Sequence, residues 1–190
     1  MKGIFSGILI SLGAYAFLSI GGIVGAVLFA FGIICIVMLE IPLYTGIAGT
    51  NVKFKDKMIV LAQNVLGALL TGIVLSLVGG SQLDTDLSIV NNKLATVGHI
   101  TFIKAIFCGL IVDVAVFLSK KYGKSVAPLI MGIPAFIICS FNHSIADSFY
   151  IGMSILYNFS WVSLLYLINV IVGNYIGCNI RQICLHNNAK

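Results

Sequence analysis

Six long apolar runs, at about residues 4–20, 22–48, 58–79, 100–119, 125–157 and 160–180, restrict this chain to one kind of solvent. A helix needs about 20 mostly apolar residues to cross the hydrocarbon core of a bilayer. The second and fifth runs exceed one simple crossing, and both contain polar interruptions. Only 9% of the residues are charged, against roughly a quarter in soluble domains. The chain therefore reads as an all-α membrane protein with six transmembrane helices in one domain over residues 1–190. The first run lacks a small-residue cleavage site followed by a polar start, so it reads as a retained span and not a signal peptide.

Charge gives the expected orientation. Lys2, Lys53, Lys55, Lys57, Lys120, Lys121, Lys124, Arg181 and Lys190 fall on one side of a six-span arrangement. Only Lys93 and Lys104 fall on the other. Nine of the eleven basic residues on one side fits the positive-inside rule. Both termini are then expected in the cytoplasm, with the protein multi-pass in the cell membrane. The net charge of +5 thus reports topology, and no nucleic-acid partner is expected. Cys35, Cys108, Cys139, Cys178 and Cys184 are scattered singly, with no CxxC or Cys/His spacing, so neither a disulfide frame, a metal site nor a cofactor is expected.

The interruptions carry the functional signal. Residues 140–149 place Asn142, His143, Asp147 and three serines inside the fifth apolar run. Ionisable groups at membrane depth are costly, and where present they mark pathways. The second run breaks at Glu40-Ile41-Pro42-Leu43-Tyr44-Thr45-Gly46, where Pro42 lacks a backbone donor. Unwound backbone at membrane depth must be buried in protein or line a wet cavity. Asp147 reads two ways. It either reaches the His143 imidazole from the same helical face or caps the half-helix that follows, and the cap is the preferred reading. Asp113 is expected to pack or to reach the interface, and Gln63 and Asn64 to bridge helices. Residues 81–98, with Asp84 and Asp86, read as a solvated outer loop. Trp161 and Tyr166 read as interfacial anchors, and His99 and His186 as facing water or headgroups.

The halves at about 3–80 and 100–181 look related. Phe17-Leu18-Ser19 recurs as Phe117-Leu118-Ser119, and residues 43–48 match 141–146, pairing Thr45 with His143. Three spans per half would make the repeats inverted. Paired broken helices in inverted repeats point to a site at the midplane. The half-helix ends meeting there can stabilise a dehydrated anion.

These residues resemble the formate/nitrite transporter family. Phe141-Asn142-His143-Ser144-Ile145-Ala146-Asp147-Ser148-Phe149 resembles its fifth-span signature, and Leu43-Tyr44-Thr45-Gly46 its second-span loop. Gly173-Asn174-Tyr175-Ile176-Gly177 resembles its sixth-span Gly-Asn-x-x-Gly motif, and Ala115-Val116-Phe117 its fourth-span Ala-Val-Trp. The resemblance implies a homopentamer of aquaporin-like protomers, each a pore for a small weak-acid anion such as formate, nitrite, hydrosulfide or lactate. It implies that His143 is the central histidine and Thr45 the loop threonine. Tyr44 and Phe136 become aromatic constrictions, Lys93 the vestibule lysine, and Phe141, Asn142, Asp147 and Asn174 further pore positions. The chain departs from the family pattern at Asn142, where glutamate is usual, at Asp147, where asparagine is, and at Cys108-Gly109, where Cys-Asn is common. The first span is expected to start almost at once, without the family's amphipathic N-terminal helix ahead of it.

A pore histidine can hydrogen-bond a permeating anion or share a proton with it, since its ordinary pKa of about 6.5 lies near neutrality. The competing classes are a pore for a neutral solute such as ammonia, water or a small polyol, and a membrane enzyme or assembly subunit. The last is disfavoured, because no nucleophile–base pair, metal cluster or extramembrane domain is legible. The protein is not expected to be an enzyme.

Overall fold

The computed structural model describes residues 1–79 and 83–186, apart from the side chains of 83–86 and 186. The described residues form α1 (Lys2–Ile20), α2 (Gly22–Met38), α3 (Tyr44–Ile47), α4 (Phe54–Val78), α5 (Leu83–Leu94), α6 (His99–Lys121), α7 (Ala127–Ile138), α8 (Ser144–Ser154) and α9 (Trp161–His186). Four of them, α1, α4, α6 and α9, are long and apolar enough to cross a bilayer, while α2 and α7 are shorter apolar helices. Large apolar side chains such as Leu77, Met131 and Trp161 face outward. Such a surface suits lipid, because lipid and not water is the solvent that tolerates it.

The polar stretch expected as an outer loop contains a helix, α5. The Asp84 and Asp86 side chains, and that of His186, lie outside the described residues, while His99 is exposed.

Both interruptions are present, at residues 39–43 and 139–143, and they are built alike. Glu40 and Ser140 both take a left-handed backbone, with φ of 55° and 54°. That conformation is uncommon away from glycine and marks a helix end. The Ile41 amide then donates to Ile36 O at 3.2 Å, and the Phe141 amide to Phe136 O at 2.9 Å. The following residues, Leu43 and His143, are extended, with φ, ψ of −116°, 132° and −112°, 115°, before α3 and α8 begin. Pro42 is therefore not what forces the break, since the second one has Asn142 in the corresponding place.

Two asparagines close these breaks. The Asn64 amide on α4 donates to Gly3 O at 2.8 Å and Pro42 O at 3.2 Å, and its oxygen accepts from the Tyr44 amide at 2.8 Å. Asn174 on α9 does the same across the molecule. It donates to Ala105 O at 2.8 Å and Asn142 O at 2.9 Å, and accepts from the Ser144 amide at 2.8 Å. Both are fully buried. A buried backbone group left unpaired costs about 1–3 kcal/mol, so each side chain offsets three such penalties. Asn64 thus bridges helices as the sequence suggested.

The bonds also fix which residues correspond. Gly3 and Ala105 stand 102 apart, as do Gly7, packed on the Asn64 backbone, and Gly109, packed on that of Asn174. Pro42 and Asn142 stand 100 apart. The tripeptide match, at a spacing of 100, is therefore two residues short of the α1–α6 correspondence. The 98-residue spacing that pairs Thr45 with His143 likewise misses by two, because the backbone counterpart of His143 is Leu43.

After each break the short helix crosses to pack on the other half: α3 on α6 and α9, and α8 on α4 and α1. Gly49, just past α3, lies so close to the Cys178 carbonyl of α9 that a Cβ there would collide with it. Beside this contact, Asp113 of α6 is paired with Arg181 of α9, Nε to Oδ2 at 2.5 Å, and Arg181 stacks over the Phe117 ring at 4.0 Å. Asp113 packs, as expected, by joining α6 to α9. Arg181→Leu strands a buried carboxylate, which costs about 3–5 kcal/mol when a buried pair loses one partner. The expected result is a large drop in the melting temperature of the detergent-solubilised protein, with much of it regained in the Asp113→Leu, Arg181→Leu double variant.

Candidate permeation site

The two breaks meet. Thr45 Oγ1 of α3 lies 3.0 Å from His143 Nε2, and neither residue reaches the surface. His143 is the residue before α8, and its Nδ1 accepts the Ala146 amide at 3.3 Å. This cap settles the tautomer. An amide only donates, so Nδ1 must present its lone pair, and the ring proton sits on Nε2. Nε2–H then donates to Thr45 Oγ1, which leaves the threonine's own hydrogen available. The Phe136 ring lies nearly parallel to the imidazole, centroids 5.8 Å apart and planes at 21°, and Phe29 meets Phe136 edge-on at 5.7 Å.

Two cavities are lined by residues of this contact or by their neighbours in the chain. One, of about 470 Å³, is lined by His143, Phe136, Phe141, Asn142, Asp147 and Lys93 among others. Phe141 stacks on Phe107 at its wall, with centroids 5.7 Å apart. The other, of about 490 Å³, is lined by Leu43, Gly46, Ile47, Val116, Lys120 and Lys124, with Glu40 at 2.5 Å from Lys124. His143 lines the first cavity, while Leu43 and Gly46, the neighbours of Tyr44-Thr45 in the chain, line the second and Thr45 itself lines neither. Tyr44 is buried beside it but lines neither cavity. Asn174 lines neither, its amide being taken up in clamping the second break.

Lys93 reaches the first cavity from the last turn of α5. Its ammonium donates to Asn142 Oδ1 at 3.0 Å, lies 3.3 Å from Asp147 Oδ1, and stands over the Tyr150 ring at 5.7 Å. Asp147 corrects both sequence readings. It lies within α8, where His143 is the capping residue, and its carboxylate binds Tyr166 and Lys93, not the imidazole. Tyr166 is likewise no interfacial anchor: it is 1% exposed, and its hydroxyl donates to Asp147 Oδ2 at 3.0 Å. Nothing local in the sequence signals that pair, since its members lie on different helices. Trp161, in contrast, is exposed. Among the described residues no group of His, Cys, Asp and Glu is placed to hold a metal.

Two solved structures share this fold. One, described as a pentameric formate channel with formate bound, aligns at a TM-score of 0.83 and 19% identity over 99% of this chain and 94% of its own. Another, an FNT family ion channel, aligns at 0.83 and 17% identity over 100% of this chain and 88% of its own. At such identities the likeness is one of fold. No curated protein matches the chain. The sequence model of the formate/nitrite transporters, however, matches residues 1–186, nearly the whole length. A membrane-suited helical bundle with a buried threonine–histidine contact thus belongs to the formate/nitrite transporter family.

Proposed function

We propose that this protein is a membrane channel or transporter for small monovalent weak-acid anions such as formate, nitrite or hydrosulfide, working as a homopentamer with one pore per protomer. In this reading the chain crosses the bilayer six times as two inverted three-helix repeats. The second crossing is α2 with α3, and the fifth α7 with α8. The paired asparagine clamps and matching backbone turns support the repeat, and the pentameric formate channel of like fold supports the assembly. The basic loops support cytoplasmic termini in the cell membrane, which makes the Lys93 cavity the outer vestibule.

The observation that carries the reading is the buried Thr45–His143 bond, whose histidine lines one cavity and whose threonine is next in the chain to residues lining another. An anion entering from the vestibule loses water against Phe136 and Phe141 and takes over the Nε2–H that Thr45 Oγ1 otherwise accepts. A donor held in a dry site binds an anion far better than it would in water. Thr45 can turn its free hydrogen to the same oxygen, so imidazole and hydroxyl hold the anion together. The cap bears on proton transfer as well. The neutral ring donates a hydrogen bond through Nε2, and giving the proton away needs a second one at Nδ1, which displaces the Ala146 amide. Hydrogen bonding is therefore the resting interaction, and passage as the neutral acid requires the imidazole to gain a proton first.

The test is a panel of formate, nitrite, hydrosulfide, lactate and acetate fluxes in proteoliposomes of the purified chain. Saturable flux of at least one small anion, well above that of empty liposomes, is expected. Flux of water or ammonia with none of the five anions would replace this reading with a neutral-solute pore.

A further inference from the structure

The vestibule holds a carboxylate that this reading leaves unused. Asp147 is wholly buried, yet it is part of the cavity lining. One oxygen accepts from Tyr166 at 3.0 Å. The other faces the Lys93 ammonium at 3.3 Å without the alignment of a hydrogen bond, so only charge holds it there. Lys93 has a second anchor in Asn142 Oδ1 at 3.0 Å, and is itself only partly buried. The ammonium would thus keep its place if Asp147 lost its charge.

We propose that Asp147 sets the anion affinity of the vestibule by neutralising Lys93 when ionised and releasing its charge when protonated. This rests on the transport reading and makes the capture of a small anion conditional on a proton at a site separate from His143. With Asp147 ionised, the cavity offers an anion a compensated pair and a nearby negative charge. With Asp147 protonated, Lys93 stands uncompensated at the cavity wall. The proton moves between solvent and Asp147 Oδ1, and no other bond changes.

Among the described residues the ionisable neighbours are few; the side chains of Asp84 and Asp86, also on α5, lie outside them. Lys93 comes from α5 and Tyr166 from α9. Tyr150 and His143 belong to the Asp147 helix and its cap, and the Cys108 thiol on α6 lies within range of its charge. Lys104, also on α6, shares the cavity lining. Tyr15 and Lys2 lie on α1, which also packs on α8. The charges of α4, at Lys55, Asp56 and Lys57, precede by three turns or more the stretch where Leu69 and Gly72 meet α8.

The experiment measures the formate concentration giving half-maximal flux in proteoliposomes, with equal pH on both sides, from pH 5 to 8. The wild type is compared with Asp147→Asn, so that the ionisation of formate itself cancels in the ratio. At pH 8 Asp147→Asn should half-saturate at about tenfold less formate, the effect of removing one unit charge a few ångströms from the anion. The ratio should fall toward one as the pH is lowered. Lys93→Gln supplies a second reading that does not need the aspartate variant to fold. It should weaken half-saturation several-fold at pH 5, where Lys93 is otherwise the uncompensated charge at the cavity wall. Tyr166→Phe, which removes a bond to the ionised carboxylate, should move the wild-type transition to higher pH. A ratio of one throughout, or no effect of Lys93→Gln at pH 5, would overturn the inference while leaving transport intact. Absence of saturable flux in the wild type would remove the transport reading, and this inference with it.

Discussion

Asn174→Leu should leave the protein barely foldable. Leucine fills nearly the same volume but offers no polar atom, so three buried backbone groups lose their partner: the Ser144 amide and the carbonyls of Asn142 and Ala105. At about 1–3 kcal/mol each, the combined loss is a large share of the roughly 5–15 kcal/mol that holds a domain folded. For a chain of this size each kilocalorie lowers the melting temperature by about 2–4 °C, so a fall of roughly 10 °C or more is expected. Size-exclusion chromatography with tryptophan fluorescence after a heating series would read it. Asn174→Asp sharpens the test. Its carboxylate can still accept the Ser144 amide but repels both carbonyls, so it should destabilise as well. A melting temperature within 2 °C of wild type for either variant would mean that the break is held by something else. Asn64→Leu should repeat the result at the first break.

The clamps also show what can be read from sequence and what cannot. The apolar run lengths and the polar interruptions located the two breaks, because lipid leaves little freedom at those positions. The His143–Thr45 contact was legible for the same reason, although the register that suggested it was wrong by two residues. Short matches such as Phe17-Leu18-Ser19 with Phe117-Leu118-Ser119 misplace the register because apolar residues are so common in this chain that short runs of them are interchangeable. Hydrogen bonds to fixed carbonyls and close helix contacts are not. The pairs Asn64/Asn174 and Gly7/Gly109 hold the true correspondence, but identifying them required knowing which backbone groups they meet. Asp147 was misread because a cap was sought where local spacing allowed one. His143, not among the usual capping residues, took that position, and the carboxylate was left to face Tyr166 and Lys93 on other helices. Helix α5 was missed although Leu83, Leu87, Val90 and Leu94 recur at helical spacing, because the stretch was judged by its polarity and not by that period.

Removing the imidazole should have the largest effect on transport, but the variant has to be chosen for what else the ring does. His143→Ala deletes both the Nε2–H donor beside Thr45 and the Nδ1 cap on α8. The lost cap alone costs about 1 kcal/mol of stability, which would blur the result. His143→Asn keeps an acceptor suited to the capping position while moving any donor away from Thr45. A hydrogen bond to a charged group is worth about 1.5–3 kcal/mol, which corresponds to roughly ten- to a hundredfold in affinity. The decisive measurement is therefore saturable formate flux in proteoliposomes across pH 5 to 8 for wild type, His143→Ala and His143→Asn, at matched amounts of folded protein. Loss of about tenfold or more in both variants, with His143→Asn retaining the wild-type melting temperature, is the expected result. Flux and pH dependence unchanged in both would contradict an imidazole and a hydroxyl holding the anion between the two breaks.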